Sequence, residues 1–214
     1  MKKFCILFML LTLISCGEIQ YDGEKRLVFQ TIVKNSNGEL LPNSNVEITT
    51  STNYTSDLIS KGRTNQNGEI TLIFPAPNND DININLNIYN YDTSYLQKEL
   101  FNIRREDFEN YKFILQNAIL LKLDETASLQ LTYIQTNFNT IVEKVSINGI
   151  YSMHHEVYNS SLEDYYPPPE EILIKKNQTF QLKYTILNTQ TSIETDYIID
   201  LTIGVEPLNY TIIF

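Results

Sequence analysis

The groups of this 214-residue chain with the most chemical potential are two histidines, two cysteines and 26 acidic side chains. The histidines are adjacent, at 154 and 155. In a strand, neighbouring side chains point to opposite faces, so His154 and His155 do not jointly hold one metal ion. His155 and Glu156 are separated in the same way, and both histidines read as structural or solvated. Asn78-Asn79-Asp80-Asp81 is rich in oxygen donors of the kind calcium prefers. It lacks the spaced carboxylates and the terminal bidentate Glu of a calcium loop, so a polar hairpin turn is expected there. A phosphate cradle needs clustered glycines whose backbone N–H groups face the anion. The seven glycines here, at 17, 23, 38, 62, 68, 149 and 204, are dispersed. Gly-x-Ser-x-Gly, His-Glu-x-x-His and Cys-x-x-Cys do not occur. The sequence therefore leads to no catalytic residue, no metal and no cofactor.

One segment could carry recognition. Asn159 to Glu171 reads NSSLEDYYPPPEE, which is long for a connection inside a compact sandwich. Pro167, Pro168 and Pro169 would stiffen it as polyproline II. Tyr165 and Tyr166 then form a candidate binding loop for sugar stacking or protein contact. The alternative is that both tyrosines pack over a sandwich edge while the prolines block edge pairing.

These residues need elements to position them, and the chain offers strands. Hydrophobic residues make up 42% of the sequence, enough for a real core. Leu27–Val33 is β-rich and ends at Asn35-Ser36-Asn37-Gly38, where Asn-Gly supplies the positive φ of a tight turn. Val46–Thr49 alternates in the strand period, and a second Asn-Gly, at 67–68, precedes Ile70–Phe74. Ile82–Ile88 alternates apolar residues with asparagine, which puts one face in a core and the other in water. Arg104–Tyr111 suits a short helical turn before a strand at Lys112–Leu115. In the second half, strands are expected at Leu129–Gln135, Ile141–Ile147, Ile150–Tyr158, Glu171–Lys175, Thr179–Leu187, Asp196–Ile203 and Leu208–Phe214. No apolar-periodic helix is long enough for an α/β fold. The expected class is all-β, as two consecutive antiparallel β-sandwich domains, residues 27–118 and an Ig-like 119–214.

Residues 1–16, MKKFCILFMLLTLISC, have a cationic start and an apolar run too short to span a bilayer, which takes roughly 20 residues. The run ends in Leu13-Ile14-Ser15-Cys16, which resembles the lipobox of bacterial lipoproteins. The resemblance implies a signal peptide over 1–15, cleavage before Cys16, and acylation of that cysteine and of the new amino terminus. Residues 16–26 would be an acylated tether and the membrane a partner through lipid. Gly17 is not the aspartate that retains enteric lipoproteins in the inner membrane, so the cell envelope, at its outer membrane, is the implied address. Cys5 would be discarded, so no internal disulfide forms and packing must supply stability.

The stretch Asn35–Ile48 with Gly62–Ile70 resembles the carboxypeptidase regulatory-like domain. Its turn with Gly, nearby Pro42, Val-rich strand and Thr64-Asn65-Gln66-Asn67-Gly68 follow that family's pattern, with a departure at Asn43-Ser44. The resemblance covers roughly residues 27–115. It implies a prealbumin-like β-sandwich used as a scaffold or interaction module, with no peptidase activity.

The formal net charge is −10, and removing Lys2 and Lys3 with the signal peptide leaves −12. Such a chain repels phosphate backbones, which excludes nucleic acid as a partner. The leading expectation is a non-enzymatic, lipid-anchored envelope protein that serves as a scaffold or binding module for a protein or glycan. A small envelope hydrolase acting on carbohydrate or peptide is the alternative. If the lipobox is functional, Cys16→Ser leaves the precursor uncleaved. Metabolic labelling with a fatty-acid analogue checks this: the wild-type chain is marked and the variant is not.

Overall fold

The computed structural model describes residues 18–52, 55–152, 156–157 and 170–214. Among these the regular structure is strand, with two single 3₁₀ turns at 105–107 and 123–125. Two hydrophobic cores form, each between a pair of facing sheets.

The first core lies between a three-stranded sheet and a larger one. The three-stranded sheet has the order β4 (Glu69–Pro77), β1 (Tyr21–Asn35), β7 (Lys112–Leu120). The larger sheet runs β6 (Lys98–Ile103), β5 (Asn83–Tyr89), β2 (Asn45–Ser51), β3 (Ser56–Arg63). Along β1 every second residue from Leu27 to Asn35 is buried, the period that a sheet with one face in a core requires. Phe29 and Phe113 stack with ring centroids 6.0 Å apart. Phe108, just after the first 3₁₀ turn, meets Phe74 edge-on at 5.9 Å. On β5, Ile84 and Leu86 are each only 2% exposed. The alternating asparagines are half-buried rather than in water, because β2 and β6 flank them. Asn85 donates to Ser51 Oγ at 2.8 Å.

Two turns of the same design close one end of this sandwich. In Asn35-Ser36-Asn37-Gly38-Glu39, Asn35 Oδ1 accepts from the N–H of Asn37 and of Glu39. Asn35 Nδ2 reaches Glu39 Oε2 at 2.6 Å. Asn65-Gln66-Asn67-Gly68-Glu69 repeats every one of these bonds from Asn65. The glycines take the positive φ that L side chains avoid, +84° at Gly38 and +68° at Gly68. A Cβ at Gly68 would also stand 2.6 Å from the Val33 carbonyl oxygen.

The second core lies between β10 (Tyr151–Ser152), β12 (Glu171–Lys175), β8 (Thr126–Ile134), β15 (Leu208–Ile213) and a three-stranded sheet. The latter is ordered β14 (Ile193–Ile203), β13 (Gln178–Asn188), β9 (Thr140–Asn148). Phe180, Leu182, Leu129, Ile172 and Ile174 fill its centre.

Several expectations need correction. The tether was expected to run to residue 26, yet β1 begins at Tyr21. Tyr21 pairs with Pro77, and its hydroxyl bonds to Thr50 and Asp57, so a polar-looking stretch is pinned to the sandwich. The all-β class with two mostly antiparallel sandwiches is as expected, and within it β1–β7 and β8–β15 are parallel pairs. Each of these pairs is separated by most of a domain, long enough for the crossover a parallel pair needs. Residues 150–158 do not make one strand. Tyr151–Ser152 pairs with β12, whereas β11 (Glu156–Val157) joins the open edge of β6 in the first sandwich. Asn78–Asp81 is not a hairpin turn, because β4 and β5 belong to different sheets. The turn carries the chain across the sandwich, with Asn79 Oδ1 accepting from the Asp81 N–H at 3.0 Å. β3 and β6 were not expected at all.

The β5 environment makes a stability contrast. Ile84→Asn places an unpaired amide in the first core and should cost roughly 2–4 kcal/mol. Asn85→Thr loses the bond to Ser51 but gains strand propensity, and should change stability by less than about 1 kcal/mol. Denaturant melts of both variants check the register of β5.

Candidate functional site

The sequence-predicted site residues Cys16, Tyr165 and Tyr166, with His154 and His155, lie outside the described residues. The flanks of the candidate loop are described. On one side β11 pairs with β6, at Glu156↔Leu100 and Val157↔Phe101. On the other, the Glu170 carbonyl accepts from the Leu131 N–H at 2.8 Å. One flank is thus fixed to the first sandwich and the other to the second.

The place where the sandwiches meet holds a cluster of polar contacts that sequence reading did not single out. Ser36 projects from the first Asn-x-Asn-Gly-Glu turn, and only 6% of it is exposed. Its hydroxyl donates to Glu125 Oε2 at 2.9 Å. Its carbonyl accepts from Lys175 Nζ at 2.7 Å. Glu125 Oε2 also accepts from the Lys122 N–H, closing the second 3₁₀ turn. The Glu125 carbonyl accepts from the Lys176 N–H at 2.8 Å, and Lys176 Nζ reaches the Asp124 carbonyl at 2.7 Å. On the neighbouring side the Leu96 N–H donates to the Leu121 carbonyl at 2.7 Å, and Lys122 Nζ stands 4.9 Å over the Tyr95 ring. A signal did exist: the two turns NSNGE and NQNGE differ only at Ser36 and Gln66. The serine is the one with a distant partner.

Strand directions place this joint between two ends. β1 starts at Tyr21, where the Gln20 carbonyl accepts from the Asn78 N–H, and finishes at the joint. β8 leaves the joint at Thr126 and finishes at Ile134. Beyond it, the N–H groups of Thr136 and Asn137 bond to the Phe214 carbonyl, and Thr189 bonds to the Asn139 carbonyl at 2.8 Å. The turn 135–139, the β13–β14 turn and Phe214 therefore form one tip, opposite the joint. Phe138 in that tip is 96% exposed.

Open recesses among the described residues include the following pair. One, about 620 Å³, is bordered by Asp107, Glu109, Lys112 and Ile114. The other, about 300 Å³, lies on β9, β13 and β14 beside Lys144, Lys183, Asp196 and Ile198. Below it Tyr197 stacks on Tyr184, with centroids 4.9 Å apart and planes 10° from parallel. Burial, with a hydrogen bond to Tyr210, pushes the Tyr184 phenol up to about 12. Among the described residues, no three of His, Cys, Asp and Glu converge as a metal site would require. No helix there is long and apolar enough to cross a membrane.

No protein family and no characterised relative matches the sequence. Solved structures do resemble the chain. The shaft pilin spaA from Lactobacillus rhamnosus GG aligns over 88% of this chain and 98% of its own, at 8% identity and a TM-score of 0.38. The Bacillus anthracis TIE protein aligns over 87% of this chain, at 12% identity and a TM-score of 0.32. The chain spans about a third of that protein, 34%. BcpA, the major pilin subunit of Bacillus cereus, aligns over 84% of this chain and 69% of its own, at 9% identity and a TM-score of 0.30.

The joint yields its own test. Ser36→Ala leaves Lys175 its carbonyl acceptor but takes the hydroxyl from Glu125, and should cost about 1 kcal/mol. Glu125→Ala also opens the 3₁₀ turn, and the cost should rise to about 2 kcal/mol. Calorimetry checks the consequence: one coupled unfolding transition in the wild-type chain separates into two in Glu125→Ala.

Proposed function

We propose that this chain is a non-enzymatic, lipid-anchored spacer of the cell envelope that holds a binding surface away from the membrane. The observation that carries this reading is the end-to-end order of the molecule. The amino-terminal end of β1, the fastened joint and the Phe138 tip follow one another along the chain's own strand directions. At about 3.3 Å per strand residue, and with residues 22–25 bulged out of the ladder, β1 and β8 give the two sandwiches a combined reach of roughly 60 Å. Acyl chains on Cys16 would attach at the near end, a few residues before the pinned Tyr21, so little slack separates the first sandwich from the lipid. Stable anchoring takes two lipid signals, which the acylation implied by the lipobox supplies. The outer membrane is the proposed address, and a protein or glycan the proposed ligand class. Phe138 at the tip, and the candidate residues Tyr165 and Tyr166, suit either ligand.

Reconstitution of the acylated chain into liposomes tests the spacing. Energy transfer from a dye at position 23 to a headgroup acceptor should be strong, and transfer from a dye at position 137 should be weak. Equal transfer from both positions would mean that the chain lies flat on the membrane, and the spacer reading would fail.

A further inference from the structure

Sheet edges carry unpaired backbone groups, and proteins blunt them with prolines, bulges, shortness or charged side chains, of which β14 has only the last, all acidic. The described edges here are mostly blunted. β4 carries Pro75 and Pro77. β3, β7 and β9 each have a register shift against their partner. β10 and β11 have two residues each, and β15 has six, following Pro207. β14 is different. It pairs with β13 over 11 residues without a shift, from Ile193↔Asn188 to Ile203↔Gln178. It contains no proline and no lysine, and among the described residues nothing pairs with its other side.

The two faces of β14 differ in character. Glu194, Asp196, Ile198 and Asp200 point to the outer face. Asp196 accepts from Thr185 Oγ1 at 2.7 Å, Asp200 from Gln181 Nε2 at 3.1 Å, and Glu194 lies 3.9 Å from Lys144 Nζ. Ile193, Thr195, Tyr197 and Ile199 point inward, but the distal half of this face is uncovered. Ile193 is 61% exposed and Tyr197 39%, although Tyr197 stacks on Tyr184. The free edge is therefore acidic on one face and apolar on the other.

We infer that β14 is a strand-addition site for an extended partner segment in which Lys or Arg alternates with apolar residues. Such a segment would complete the backbone ladder of β14, as in strand augmentation. Its side chains would stand about 4.5–5.5 Å from those of β14. The basic residues would then lie against Glu194, Asp196 and Asp200, and the apolar ones against Ile193, Tyr197 and Ile199. Lys183 is one strand further in and does not front the new strand. The same charges oppose pairing between two copies of this chain. In every face-matched antiparallel register centred on residues 195 to 198, an acid of one copy faces an acid of the other. This inference rests on the reading of the chain as a binding spacer and names the chemistry its distal sandwich captures.

The test uses the full chain in detergent micelles and three capped nonapeptides. One alternates Val or Thr with Lys or Arg, one is its composition-matched scramble, and one carries Glu in place of each basic residue. The alternating basic peptide should bind at least about tenfold more tightly than the scramble at physiological salt, with the acidic peptide weakest. Hydrogen exchange should slow within residues 193–203 and not at β3 or β4. Asp196→Asn with Asp200→Asn, which keeps side-chain size and fold by circular dichroism, should reduce the basic preference about fivefold. Asp196→Lys with Asp200→Lys should transfer the preference to the acidic peptide. Equal binding of scramble and alternating peptide, protection elsewhere, or dimers cross-linked through β14 without peptide would each overturn the inference. A chain that stands extended on liposomes yet ignores the peptide overturns the edge assignment alone. A chain that lies flat overturns the spacer reading, whatever the peptide does.

Discussion

The hydrogen bond from Ser36 to Glu125 is the constraint on which the larger arrangement depends. Each sandwich closes its own core, and neither core needs the other. What turns two beads into one object is a turn of the first sandwich gripped by the entry turn and a strand end of the second. Glu125 accepts from Ser36 and from the Lys122 backbone with one oxygen, so the joint and the 3₁₀ turn share an acceptor. Lys175 holds the same serine through its carbonyl. A buried hydroxyl stripped of its partner carries a desolvation cost, so these bonds favour a single relative orientation over an ensemble. The strand β11, laid along β6, fastens the same joint from a different element.

Function follows from direction. β1 delivers the chain to the joint from the near end and β8 carries it away to the tip, so rigidity at the joint becomes reach. The proposed binding surface sits on the distal sandwich, where β14 lacks the prolines, bulges and shortness of the other described edges. Its acidic stripe serves two purposes at once. It would select the proposed basic partner strand, and it opposes the self-association that a long bare edge otherwise invites.

Much of this was readable from residue order, for physical reasons that also explain the gaps. Ile82–Ile88 announced a half-buried strand because its apolar period is 2, and the strand observed is Asn83–Tyr89. Asn-Gly at 37–38 and 67–68 announced turns because positive φ is cheap there. β3 was missed because Leu58-Ile59-Ser60-Lys61-Gly62-Arg63 has no clean alternation: it is an edge strand with an extra residue, Ile59, against β2, and one face is only loosely covered. The partner of Ser36 could not be read, since Glu125 and Lys175 reach it only after both sandwiches have folded. The placing of Tyr151–Ser152 and Glu156–Val157 in different sheets was hidden for the same reason. The aromatic candidates Tyr165 and Tyr166 stand on a segment whose flanks alone are described, one on each sandwich.

The account stands on the joint holding one orientation, and a distance between the sandwiches measures that directly. Spin labels at exposed Glu69 in the first sandwich and exposed Asn209 in the second report it by pulsed dipolar spectroscopy on the full chain. A single narrow distance distribution, broadened when Glu125 is replaced by alanine, is the predicted result. A broad distribution in the wild-type chain, unchanged by that substitution, would contradict the account.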